Sequence, residues 1–343
     1  MLEFSGPINF LGPSPKAVEA VKQYAKLIKF YPDPNPVEFK TEVAKYVGHG
    51  VEEENIILGN GSIELIYAIT EILPRGGFNA VIPVPSFSEY EKAALRVGGK
   101  PVFVQLPENF ALETEKIKKA LTGDTKIMCI CNPHSPSGTL YSKEAVLELA
   151  DFCRKKGIIF SVDENYIEFA DKGQDTTLAG MVKDYENLFV IRSVTKFYGM
   201  AGIRLGYGIA TPELVKKLEN VRLPWSINSL ASCATLAAFN DKEFIENTKR
   251  TIAKERTELA KSLNEIEGLR VYPSVTNFLL VKILNRKITS TQLKELMAKE
   301  HILIRDCCTF MGLDDSYFRV TVRSAKDNQK LTETIKRMLS KTV

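Results

Sequence analysis

Between residues 37 and 225 the chain alternates short, almost wholly apolar runs with longer segments of helical periodicity. The runs cover residues 56–58, 80–83, 101–105, 126–131, 158–162, 188–192 and 205–210. They are rich in β-branched residues and lack the polar alternation of a half-exposed strand, so each is expected to be covered on both faces. Helical patterns such as 62–73 and 143–155 lie between them. Few folds accommodate this order. It predicts an α/β architecture, a mostly parallel sheet of seven strands with helices on both sides.

After Pro224 the pattern changes. Helices are expected over 230–239, 241–265, 289–299 and 326–340, with strands at 277–283, 302–305 and 318–322, together a smaller α+β domain. Pro7, Gly12, Pro13 and Pro15 make the first thirty residues read as an arm, irregular until Ser14 caps a helix with Pro15 in its first turn. Tyr31-Pro32-Asp33-Pro34-Asn35-Pro36 is a rigid, non-helical segment. The expected organisation is an arm over 1–30, a large domain over 31–225 and a small C-terminal domain over 226–343.

Composition narrows the function. The 343 residues include 46 Lys and Arg against 42 Asp and Glu, scattered without runs of one sign. No nucleic-acid footprint results. Cys129, Cys131, Cys153, Cys233, Cys307 and Cys308 form no Cys-x-x-Cys pair and are expected to be reduced thiols. His49, His134 and His301 stand at no metal-ligand spacing, so no metal is expected. The N-terminus lacks a basic start followed by a long apolar segment, and no run approaches a membrane span. The expectation is a soluble, cytoplasmic protein.

The chemistry gathers at the strand ends. Arg192-Ser193-Val194-Thr195-Lys196 puts a lysine just after an apolar strand, with Arg204 downstream in Gly202-Ile203-Arg204-Leu205-Gly206-Tyr207. A lysine that attacks carbonyls must lose its proton near neutral pH, through burial or a cationic neighbour. The hydroxyls and arginine beside it suit a phosphate, and the combination suggests a Schiff-base enzyme using pyridoxal phosphate. Gly59-Asn60-Gly61-Ser62 follows a strand and opens a helix. It is either a phosphate-binding turn or a plain tight turn with a serine cap. Asn132, in Asn132-Pro133-His134-Ser135-Pro136-Ser137-Gly138, donates to a ligand oxygen or belongs to a proline-rich turn. Asp163 faces a pyridine nitrogen or caps a helix, and Tyr166 lies within reach of an oxygen on the same ring. Phe87 stacks on that ring or fills core. Arg305, Arg319 and Arg323 suit an anionic substrate, and Arg319 and Arg323 share one face if their strand runs that far.

The order of these segments resembles the fold-type I pyridoxal-phosphate enzymes of the class I/II aminotransferase branch, over essentially the whole chain. The resemblance implies the transferase fold of that family and pyridoxal 5'-phosphate as cofactor. Lys196 would form the Schiff base and move protons, and Asp163 would pair with the pyridinium nitrogen. Asn132 and Tyr166 would contact the ring hydroxyl oxygen, and Phe87 would stack on the ring. Gly61, Ser62, Ser193 and Arg204 would hold the phosphate. Tyr31 resembles the tyrosine that reaches a neighbouring subunit's phosphate, which implies a homodimer. Ile8, Asn9, Asn132, Arg305, Arg319 and Arg323 would bind substrate. Two branches compete: threonine-phosphate decarboxylases of cobalamin synthesis and histidinol-phosphate aminotransferases. The N-terminal Phe4–Pro13 stretch, Thr195-Lys196-Phe197-Tyr198, Pro224-Trp225-Ser226-Ile227-Asn228 and Arg323 in place of glycine resemble the decarboxylases. The expected activity is therefore decarboxylation of L-threonine O-phosphate, with histidinol-phosphate transamination as the alternative and a non-catalytic relative as a third. His134, Ser135 and Ser137 depart from the usual loop, and Asn165 replaces the common alanine.

Overall fold

A computed structural model of the chain describes residues 1–284 and 287–341. A two-residue strand, β1 (Leu2–Glu3), opens it. The central sheet contains β2 (Ile56–Gly59), β3 (Asn79–Val84), β4 (Lys100–Gln105), β5 (Thr125–Cys131), β6 (Ile159–Asp163), β7 (Leu188–Ser193) and β8 (Gly206–Ile209). Their spatial order is β2-β8-β7-β6-β5-β3-β4. Only β8 runs against its neighbours, β2 and β7; the other pairings are parallel. All seven apolar runs are strands, with ends displaced by at most one residue. Their continuity has a clear cause, since adjacent residues serve opposite cores. Ile57, Ile127, Phe189 and Ile191 pack with Leu65, Ile66 and Ala93 on one side. Leu58, Met128, Val162 and Val190 pack with Leu149 and Val146 on the other.

This topology brings one edge of the sheet together. The carboxyl ends of β2, β5, β6 and β7 lie there with the amino end of β8, since Gly206 pairs with both Gly59 and Ser193. It is the edge where open α/β sheets accept ligands.

The C-terminal strands are β9 (Leu269–Val271), β10 (Phe278–Ile283), β11 (Ile302–Leu303), β12 (Arg305–Asp306) and β13 (Tyr317–Thr321). Four of them form an antiparallel sheet in the order β12-β13-β10-β9. Helices Ser229–Phe239, Lys242–Asn264, Ser290–Lys299 and Ala325–Lys341 accompany them. Two expectations need correction. The run at 302–305 is two strands in different sheets, because β11 pairs in parallel with β1 while β12 pairs with β13. The first residues are therefore tied down well before Pro15: Leu2 aligns with Ile302, and Thr321 donates to the Phe4 carbonyl through N and Oγ1. Ser14 caps the helix Pro15–Tyr24 as expected, accepting from Ala17 N, and also donates to Asp241.

A buried ion pair sits behind the ligand edge. Glu164 Oε2 accepts from Arg192 Nε at 3.0 Å and Nη2 at 2.9 Å, and from Thr177 Oγ1 at 2.7 Å; Oε1 accepts from Leu178 N. Both side chains are fully buried. Removing one partner strands a charge in a medium that cannot solvate it. Glu164→Ala is expected to destabilise the protein by about 3–5 kcal/mol. Urea unfolding followed by circular dichroism checks this, and an unchanged midpoint would contradict it.

Candidate active site

A cavity of about 180 Å³ opens at the ligand edge of the sheet. Ser62, Phe87, Asp163, Tyr166, Ser193, Lys196 and Arg204 line it, so seven of the expected site residues converge. Ile63, Cys131, Ser135, Asn165 and Thr195 complete the wall.

One end of the cavity is built for an anion. Gly61, at φ +76°, precedes the helix Ser62–Glu71, whose first N–H groups have no intrahelical acceptors. A Cβ on Gly61 would lie 2.3 Å from Arg204 Nη2, so only glycine lets the guanidinium close over the turn. Arg204 Nη1 donates to the Ala201 carbonyl, which leaves its other N–H groups for a ligand. Ser193 Oγ accepts from Thr195 N at 2.9 Å and keeps its own proton to give.

The other end is built for a ring. Asp163, 4% exposed, accepts from Tyr90 OH at 2.7 Å through Oδ2 and from Asn165 N at 3.0 Å through Oδ1. Burial pushes its carboxyl up to about 6, opposed by those two hydrogen bonds and by Lys196. Near neutral pH it is ionised and can keep a pyridine nitrogen protonated. Phe87 stands half-exposed at the mouth, edge-on to Tyr90 at 5.8 Å. Tyr166 is buried edge-on to Phe278, beside Ser135 and Arg319. These groups fit pyridoxal 5'-phosphate: a carboxylate for the ring nitrogen, an aromatic at the ring's mouth and an anion turn at the far end.

Lys196 lies between the two ends. Burial lowers its amine to about 8, Arg319 and Arg204 push in the same direction, and Asp163 opposes them. Its carbonyl accepts from Asn9 N, which fixes the turn.

Other expected residues stand apart from the cavity wall. Asn132 is bound to the backbone of Tyr141, accepting from N at 2.8 Å and donating to O at 3.4 Å. Asn9 donates to Phe197 O and Thr248 Oγ1 and accepts from Leu11 N, so its side chain holds the fold. Ile8 is half-buried on the same segment. Tyr31 is 87% exposed, with its ring against Trp225. Arg319 is buried, donating to Ser135 Oγ and the Ser5 carbonyl, while its Nε has no partner among the described residues. Arg305 aligns with Arg319 across β12 and β13 and donates to Thr309 Oγ1. Arg323 departs from expectation. The strand ends at Thr321, so Arg323 shares no strand face with Arg319; it pairs with Asp327 and donates to the Glu3 carbonyl.

Sequence reasoning missed Tyr90, which holds Asp163. The signal was the three-residue spacing from Phe87, which lies just before the helix Glu89–Arg96 while Tyr90 lies in its first turn. It also missed His134 as a brace: the ring bonds Pro85 O and Ser137 Oγ, and burial holds it neutral by lowering it to about 4.

Residues 4–338 match the model of a family described as aminotransferase class I and II. A putative threonine-phosphate decarboxylase of Caldanaerobacter subterraneus subsp. tengcongensis is 37% identical, over 96% of this chain and 88% of that protein. A histidinol-phosphate aminotransferase of Methanosarcina mazei is 36% identical, over 94% and 84%. The crystal structure of the histidinol-phosphate aminotransferase from Clostridium acetobutylicum superposes with a TM-score of 0.91 at 33% identity, covering 98% of this chain and 99% of that one.

The lowered basicity of Lys196 has a consequence for stability. In the unfolded chain the amine has its ordinary value of 10.5, against about 8 in the fold. Between those values the unfolded state binds more protons, so this group's contribution to stability rises with pH across that window. Below it, the fold carries the full penalty of a buried charge. Cofactor-free Lys196→Met is therefore expected to unfold at a higher temperature than the parent near neutral pH, with the advantage fading towards pH 10.5. Melting curves over that range check it, and identical curves throughout would refute it.

Proposed function

The chain belongs to the class I and II aminotransferase family, and we propose that it decarboxylates L-threonine O-phosphate to (R)-1-amino-2-propanol O-phosphate in cobalamin biosynthesis. The observation that carries this reading is the pair Arg305 and Arg319. They are aligned on adjacent strands, Arg319 is bonded to Ser135 of the cavity wall, and neither meets a carboxylate among the described residues. A substrate with a carboxylate and a phosphate on one small skeleton needs two such anion sites at once. The 37% identical relative named a putative threonine-phosphate decarboxylase supports it.

The family depends on pyridoxal 5'-phosphate, which when bound accepts the electrons of a bond broken at the substrate α-carbon. Lys196, largely neutral above about pH 8, would supply the amine that holds the cofactor. Asp163 would keep the ring nitrogen protonated, while Tyr90 and the Asn165 N–H hold the carboxylate in place. Gly61, Ser62, Ser193 and Arg204 would hold the cofactor phosphate. Tyr166, on the cavity wall, would contact the ring oxygen, with Asn132 behind it braced by the Tyr141 backbone. Arg319, with Arg305 beside it, would bind and orient the substrate carboxylate. Arg323, neutralised by Asp327, serves this reading by holding the N-terminal segment through Glu3.

The assembly proposed with it is a homodimer. Tyr31, Phe30, Ile28, Leu223 and Trp225 are all more than half exposed and apolar. A second copy covering them would carry Tyr31 towards its neighbour's phosphate site. Six free cysteines suit a reducing cytoplasm, and among the described residues no helix is long and apolar enough to cross a membrane.

Histidinol-phosphate transamination is the second reading, favoured by the 36% identical relative and the 33% identical solved structure. One experiment separates the two. With L-threonine O-phosphate and no keto acid, the decarboxylase releases carbon dioxide continuously. The aminotransferase instead consumes L-histidinol phosphate only when 2-oxoglutarate is present. Absence of carbon dioxide at any substrate concentration sinks the first reading. If it holds, Arg319→Met is expected to lower kcat/KM by roughly a hundredfold, as a charged hydrogen-bond partner is lost.

A further inference from the structure

We propose that Asn165 is a positioning residue for the cofactor phosphate, holding the Ser62 hydroxyl so that its proton is turned towards that phosphate; this rests on the cofactor reading above. Asn165 Nδ2 donates to Ser62 Oγ at 2.9 Å. A hydroxyl oxygen that accepts from an amide keeps its own O–H to give. A phosphate oxygen only accepts, so the direction of that one bond decides whether Ser62 attracts or repels it.

The same residue reaches the other end of the site. Its backbone N–H donates to Asp163 Oδ1 at 3.0 Å. Asn165 therefore joins the carboxylate that faces the ring nitrogen to the hydroxyl that faces the phosphate, and Asn165, Ser62 and Asp163 all line one cavity. The backbone bond survives substitution; the side-chain bond does not. Asn165 is 8% exposed, and its Oδ1 has no partner among the described residues, so the amide's hydrogen bonding is spent on Ser62. An alanine here leaves the Ser62 rotor free to turn its proton elsewhere. An aspartate reverses the bond, since it takes the Ser62 proton and adds a negative charge beside the phosphate.

The test titrates the cofactor-free full chain with pyridoxal 5'-phosphate and with pyridoxal, which lacks the phosphate, following cofactor absorbance. Asn165→Ala is expected to weaken pyridoxal phosphate roughly fivefold, the worth of one hydrogen bond, and pyridoxal by less than about twofold. Asn165→Asp is expected to weaken pyridoxal phosphate further than alanine does, again with little effect on pyridoxal. With Ser62 already replaced by alanine, Asn165→Ala is expected to change neither affinity. A merely structural role would weaken both ligands equally, and that result overturns the proposal. Effects of Asn165→Ala and Ser62→Ala that simply add would overturn it too, because the two residues would then act independently. If Asn165→Ala fails to fold, Asn165→Asp and the Ser62→Ala background decide the question on the same ratio of ligands. A parent protein that binds pyridoxal normally and gains nothing from the phosphate would overturn the proposal and leave the cofactor reading standing, whereas one that binds neither overturns both.

Discussion

The site depends on a charge pair that never touches it. Glu164 follows Asp163 at the end of β6, and Arg192 precedes Ser193 at the end of β7. Their doubly hydrogen-bonded contact, joined by Thr177 and the Leu178 N–H, clamps two parallel strand ends together one residue behind the chemistry. A buried ion pair of this kind is poor evidence for stability, because desolvation offsets its attraction. What it supplies is geometry. Asp163 ends β6 and Lys196 sits on the loop that leaves β7, and a loop alone would not hold an amine at fixed separation from a carboxylate in a cavity.

Burial then acts on both groups in opposite chemical senses. It raises Asp163 and lowers Lys196, in each case favouring the neutral form. Catalysis of the proposed kind needs Lys196 to release its proton readily but needs Asp163 charged. The structure separates them by their neighbours. Asp163 receives Tyr90 OH and the Asn165 N–H, both of which favour the carboxylate. Lys196 faces Arg319 and Arg204, which favour the free amine. Each group also stabilises the other's charge, so neither shift runs to its limit.

The sheet was legible because each strand is buried on two faces and reads as an unbroken apolar run. Strand ends were legible for the same reason, since glycine, asparagine, aspartate and lysine interrupt those runs at the ligand edge. Partnerships across the chain were not. Glu164 and Arg192 lie 28 residues apart, and nothing in either segment announces the other. Asn132 and Asn9 were recognisable as polar residues at special positions, but only coordinates reveal that Tyr141, Phe197 and Thr248 occupy their amides. Alternation misled at Arg323, because a two-residue period carries meaning only while the strand lasts, and β13 stops at Thr321. At residues 302–305 the apolar pattern could not show that the chain changes sheets.

In the proposed reaction, the substrate arginine lies where the two ends of the chain meet. Arg319 donates to the Ser5 carbonyl, Thr321 to Phe4 and Arg323 to Glu3, so residues 3–5 are laced along β13 and its continuation. The Arg319–Ser5 contact is long, at 3.3 Å, and its acceptor is a neutral carbonyl. A substrate carboxylate would offer the same guanidinium a charged partner with two oxygens, a stronger acceptor than Ser5. Farther along the same segment, Asn9 is fixed to the Lys196 turn. The residues that would decide which bond stands across the ring are thus coupled to a segment whose own anchor lies at the reactive lysine. On the proposed reading, substitutions in the first ten residues, far from Lys196 in sequence, would bear on the same choice as Arg319.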